Sequence, residues 1–120
     1  MRPSVWAFSH AARALAAPVG ALWGVRLWGD FDAESIHVVE RVTYEVLHSS
    51  LAPVVFDLRH VTFANTALLN HLIALRRHRR VGLIGADRLM RLMIEVSGAE
   101  LPVFPDLAAA LSALSADDTP

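Results

Sequence analysis

Pro53-Val54-Val55-Phe56-Asp57-Leu58 leads through Arg59-His60-Val61-Thr62-Phe63 into Ala64-Asn65-Thr66-Ala67-Leu68-Leu69, and the fold is decided on this stretch. Its first six residues form a short apolar run interrupted by one acid, the pattern of a strand buried on both faces in a helix-covered sheet. The period then changes. Leu68, Leu69, Leu72, Ile73 and Leu75 recur at three- and four-residue intervals and predict a helix over 66–78 with that side facing inward. A strand that passes into a helix through Asn65-Thr66 is half of a parallel crossover unit, and ligands or partners are expected where such strand ends meet helix starts.

The flanking sequence repeats the alternation. Leu22, Trp23, Val25, Leu27 and Trp28, between Pro18-Val19-Gly20 and Gly29-Asp30, predict a strand over 21–28. Ile36, Val39, Val42, Val46 and Leu47 predict an amphipathic helix over 33–49, with Asp32 at its N-cap and Ser35 three positions on. Downstream, a strand over 80–84 precedes a helix over 87–96 stopped by Gly98. Pro102-Val103-Phe104-Pro105 is a brief extended piece, and Asp106 caps a last helix over 106–114. Residues 4–17 can pair as a strand through Pro18-Val19-Gly20 or form a short Ala-rich helix, and both readings stay open. The expected architecture is α/β, with a mixed, mostly parallel sheet of about four to five strands and about four helices. Residues 21–114 form the domain, 1–20 an N-terminal extension with room for a first strand, and 115–120 a flexible tail.

With 120 residues, 54% of them hydrophobic, the chain has room for one core. The absence of Cys excludes disulfides, thiolate metal sites and cysteine nucleophiles. Net charge is −1, so the molecule has no general positive field, and any contact with nucleic acid has to be local. All eleven basic residues are Arg, which reads as the codon bias of a GC-rich genome. His10 and Arg13 interrupt the apolar N-terminal stretch, and no 18-residue uncharged apolar run occurs, so a cytoplasmic protein without a membrane span is expected.

No metal or catalytic site is expected among the six His. His71 and His78 are about 10.5 Å apart along one helix, and His60 lacks the spacing of a metalloprotease pair. Nucleophile elbows, phosphate-binding Gly-rich loops and Lys are absent, so neither an enzyme nor a cofactor is expected. Arg76-Arg77-His78-Arg79-Arg80 reads as a helix C-terminus whose cations offset the macrodipole.

Three pieces in this order resemble the STAS domain, the family of bacterial anti-sigma-factor antagonists and of related sulfate-transporter and lipid-transport modules. They are Leu27-Trp28-Gly29-Asp30-Phe31-Asp32, the strand from Val54 to Phe63, and Val96-Ser97-Gly98 followed by Pro102-Val103-Phe104-Pro105 and a terminal helix. The resemblance covers 21–114. It implies a regulator of transcription that binds an anti-sigma factor or a serine/threonine kinase-type protein and switches partners on phosphorylation. No direct nucleic-acid contact is expected, on the ground of the net charge, and weak self-association stays open.

In that family the loop after the central strand reads Asp-Ser-Ser-Gly or Asp-Ser-Thr-Gly, with the first hydroxyl as phosphoacceptor. Here the matching residues are Asn65, Thr66, Ala67 and Leu68, so the hydroxyl is kept at Thr66 while the other three positions depart from the pattern. The resemblance makes Thr66 the acceptor and Asp32, Asn65, Ala67, Leu68 and Leu69 the partner-binding neighbours, with Leu68 and Leu69 near the contact surface. The alternative reading of Thr66 is an ordinary first-turn residue, and of Asp32 a helix cap. The departures favour a second function class, a non-phosphorylated scaffold or a subunit of a transporter or lipid-trafficking complex.

Overall fold

The computed structural model describes residues 4–115. Within them lie six strands, β1 (Val5–Phe8), β2 (Ala12–Val19), β3 (Leu22–Phe31), β4 (Val54–Ala64), β5 (Val81–Ile84) and β6 (Val103–Phe104). The helices are α1 (His37–Ser49), α2 (Thr66–Arg76), α3 (Arg88–Ser97) and α4 (Leu107–Ser115). The sheet order is β1-β2-β3-β4-β5-β6, antiparallel across β1-β2-β3 and parallel from β3 to β6. The sheet is therefore mixed and mostly parallel, with one strand more than the sequence indicates. Of the expected tail, Ser115 closes α4, and 116–120 lie outside the described residues.

The extra strand comes from residues 4–17, where the strand reading prevails over the helical one. The small Ala12, Ala14 and Ala16 alternate with Arg13, Leu15 and Ala17, and β2 lays the Ala side against α1. That two-residue period outweighs the helix propensity of Ala because a paired strand buries a whole face.

Successive crossovers β3-α1-β4, β4-α2-β5 and β5-α3-β6 all step the same way along the sheet. Right-handed connections then put α1, α2 and α3 on one face. The main core lies there, built from Val39, Val42, Leu68, Leu72 and Met90 of the helices against Val25, Leu27, Phe56 and Leu83 of the strands. On the opposite face α4 packs Ala110 and Leu114 onto Leu22, Val55 and Ile84. Consequently one face is covered across its width, whereas on the other α4 covers β5, β6 and the starts of β3 and β4, leaving β1, most of β2 and the later parts of β3 and β4 open.

Two strands run past their sequence-derived ends. β3 continues through Gly29, whose φ of +94° suits glycine and whose side is closed by Ala11 O, 2.2 Å from where a Cβ would lie. Phe31 beyond it is fully buried. β4 continues to Ala64 with its register to β3 shifted twice, and its last residues edge a partly open face where polar Arg59, His60 and Thr62 are tolerated.

Candidate partner-binding site

β3 and β4 run parallel and end side by side. Asp30 pairs with Phe63 and Phe31 with Ala64, and Asn65 N donates to Phe31 O at 3.2 Å. The junctions Gly29-Asp30-Phe31-Asp32 and Phe63-Ala64-Asn65-Thr66 therefore share one rim at the carboxyl ends of neighbouring parallel strands. Across it the Thr62 hydroxyl donates to Asp30 Oδ1.

Asn65 holds an extended backbone conformation, and its Oδ1 accepts from Ala67 N at 2.8 Å, which makes it the N-cap of α2. Thr66 follows as the first helical residue and is exposed. Its hydroxyl makes no hydrogen bond within the described residues. The free N–H groups of the first turn and the positive end of the macrodipole favour an added anionic group at this position.

Asp32 lies across the rim at the end of β3, but it does not cap α1, which starts at His37 with no side-chain cap bond at Ile36. It caps the turn before that helix. Its Oδ1 accepts from Glu34 N at 2.9 Å and Ser35 N at 3.0 Å. Ser35, itself buried, donates its hydroxyl to Asp30 O at 2.7 Å and accepts from Asp32 N at 3.0 Å. The Ser35 and Glu34 amides hold the Asp32 carboxyl below its ordinary value, so it stays charged beside the rim.

Leu68 and Leu69 differ from expectation. Leu68 is fully buried and Leu69 nearly so, both inside the main core, and of the two only Leu68 borders the neighbouring groove, at its floor. The first turn of α2 presses directly on the sheet, so the third and fourth helical positions face inward. Ala67 is half-buried between them and Thr66.

The apolar surface beside Thr66 comes instead from residues that the motif comparison passes over. Phe63 is 50% exposed and Leu89 56%, and together with Thr62, Met90 and Met93 they line a groove of about 80 Å³. Leu92 and Val96 continue the patch along α3. A signal for it exists in the sequence: Leu89, Leu92 and Val96 form an apolar stripe distinct from the buried Met90 and Ile94.

The other singled-out residues belong to the scaffold. Arg79 donates to Leu47 O at 3.2 Å and Ser50 O at 2.8 Å, and Arg80 to Leu114 O at 2.7 Å and Ala113 O at 3.1 Å. His71 sits between α1 and α2 with Nε2 3.0 Å from Thr43 Oγ1, and its burial lowers its pKa against the opposing pull of Glu40. No helix among the described residues is long and apolar enough to cross a membrane.

No family model matches the sequence, and no curated protein matches it significantly. Among solved structures, an anti-sigma factor antagonist from Mycobacterium paratuberculosis superposes with a TM-score of 0.78 at 22% identity, over 88% of this chain and 95% of that one. The anti-sigma factor antagonist SpoIIAA in its unphosphorylated form gives 0.69 at 13% identity, over 87% and 99%. A DUF3478-family protein with a SpoIIAA-like fold from Shewanella loihica PV-4 gives 0.58 at 16% identity, over 95% and 98%. The likeness is one of strand order, helix placement and chain length rather than of side chains: this chain has the SpoIIAA-like, STAS-type fold.

Proposed function

We propose that the protein is an anti-sigma-factor antagonist-like regulator, which binds an anti-sigma factor or kinase through the rim at Thr66 and is released when Thr66 is phosphorylated. The observation that carries this reading is the exposed Thr66 hydroxyl, free of hydrogen bonds among the described residues, at the start of α2 in a fold shared with anti-sigma factor antagonists. The apolar groove of Phe63 and Leu89 gives the partner a desolvated contact beside that hydroxyl. A phosphate on Thr66 adds between about one and a half and two negative charges next to the ionised Asp32. The helix N-terminus accommodates that charge, while a partner closing over the rim has to desolvate it, and the interface opens.

The test is intact-mass analysis of protein purified from its host, with peptide mapping across 63–76, and partner capture with the wild type, Thr66→Ala and Thr66→Glu. One phosphate on Thr66, and a partner held by wild type and Thr66→Ala but lost with Thr66→Glu, is the expected outcome. A Thr66 that stays unmodified even after incubation with anti-sigma kinases and ATP favours the second reading, a constitutive scaffold or transporter or lipid-trafficking subunit. The sequence departures at Asn65, Ala67 and the buried Leu68 support that second reading.

A further inference from the structure

The sheet face opposite α1–α3 carries an ordered row of side chains that the proposed switch does not use. Phe8 pairs in register with Arg13, Arg13 with Trp28, and Trp28 with His60, so these four side chains cross four strands on one face. Trp6, two positions along β1 from Phe8 and on the same face, stacks on Trp28 with ring centroids 6.1 Å apart and planes 12° from parallel. His60 stacks on the Trp28 ring at 6.2 Å and 12°, and the Arg13 guanidinium lies 5.0 Å over the Trp28 ring. At a strand spacing of about 4.8 Å the row is about 14 Å wide, too long for one flat ring and suited to two or three in succession. Trp6 is 52% exposed and Phe8 73%.

The strands that carry this row bring more cations than unengaged acids: residues 4–29 contain Arg13 and Arg26 and not one Asp or Glu, and the acids that follow on β3 and β4, Asp30 and Asp57, are engaged by the Thr62 hydroxyl and by Arg59. Among the described residues Arg13 makes no ion pair or hydrogen bond. Arg26 approaches Asp57 only to 3.9 Å, because the Asp57 carboxylate is already taken by Arg59 in a two-pronged pair at 3.0 and 2.7 Å. Two guanidinium groups with unspent donors therefore flank exposed aromatic rings on an uncovered sheet. Flat rings to stack on, together with cations for a backbone, are the complement of a single-stranded nucleic acid.

We propose that the open face of β1–β4 binds single-stranded nucleic acid, with bases stacking on Phe8, Trp6 and His60 and phosphates meeting Arg13 and Arg26. The site is separate from the Thr66 rim, and the local basic zone supplies what the net charge of the molecule does not. A cross-strand ladder of this kind also ties strands together, so Trp6 and Trp28 are poor probes by themselves. Among the described residues Phe8 makes no ring stack, and Phe8→Ala reads binding without unfolding the sheet.

The experiment measures anisotropy of labelled single-stranded RNA and DNA of about eight nucleotides, together with tryptophan quenching, on the full chain between about 50 and 200 mM salt. Expected are binding that quenches tryptophan and weakens steeply with salt, an affinity loss of about tenfold in Phe8→Ala at unchanged thermal stability, and a shallower salt dependence in Arg13→Gln. Thr66→Ala should bind as the wild type does, whatever becomes of the switch. Failure to bind at low salt, equal affinity for duplex, equal affinity for a mononucleotide, or wild-type affinity in Phe8→Ala overturns the proposal. So does a stable dimer that Phe8→Ala dissolves, which would assign the face to a second copy of the chain.

Discussion

At the head of α2 the side chain that caps the helix and the side chain that offers a hydroxyl are different residues, so they separate by mutation. Asn65→Ala removes the bond to Ala67 N and is expected to lower stability by about 1 kcal/mol in denaturant unfolding, while Asn65→Asp keeps it. Thr66→Ala should leave stability nearly unchanged, since its hydroxyl holds nothing. Leu68 is the opposite case. The motif comparison aligns it with a glycine, yet it fills core space, and Leu68→Ala is expected to cost about 2 to 5 kcal/mol. Asn65 and Thr66 were legible in the sequence because capping is local chemistry. The burial of Leu68 was legible only as helical period, since alignment to a loop motif says nothing about which way a side chain points.

Helices in this chain are fastened to one another at their ends. The Asp87 side chain accepts from Met90 N at 2.8 Å and Gly98 closes α3 with a φ of +73°, both as the sequence indicates. The arginine run behaves differently: Arg79 satisfies carbonyls at the end of α1 and Arg80 those at the end of α4, partners 29 to 34 residues away. Its sequence reading as macrodipole compensation for its own helix catches the chemistry, cations on carbonyls, and misses which helices receive it. Between α1 and α2 the partly buried His71 faces Thr43, with Glu40 the opposing charge. Burial lowers its folded pKa below the ordinary 6.5, so the neutral form is the one the interface accepts. Its contribution to stability is fully present above pH 6.5 and is lost as pH falls toward and through the lowered folded value. A urea-unfolding series across pH should show that loss in the wild type and its absence in His71→Gln.

For the molecule as a whole, acid acts in two separated stages. Burial raises the Asp57 pKa, but the Arg59 fork and amide and the nearby Arg26 outweigh it and leave the carboxyl below 3.8; the Ser35 and Glu34 amides do the same for Asp32. Both carboxylates therefore stabilise the fold fully above 3.8 and lose that contribution as pH falls through their lowered values. The second stage should persist in His71→Gln and shrink in Asp57→Asn, followed by thermal unfolding against pH. Side-chain periods, caps and turns mark the helices and the strands after residue 20 from the sequence alone, because each of those signals is read within a few residues, while 4–17 stay open between strand and helix until the sheet pairs them. Which side chains share a surface depends on one-directional, right-handed crossovers that crowd three helices onto one face of the sheet. Only that tertiary arrangement sinks Leu68 and Leu69, exposes Phe63 and Leu89 beside Thr66, and leaves Phe8, Arg13, Trp28 and His60 side by side on an open face, because those contacts join residues far apart in the chain.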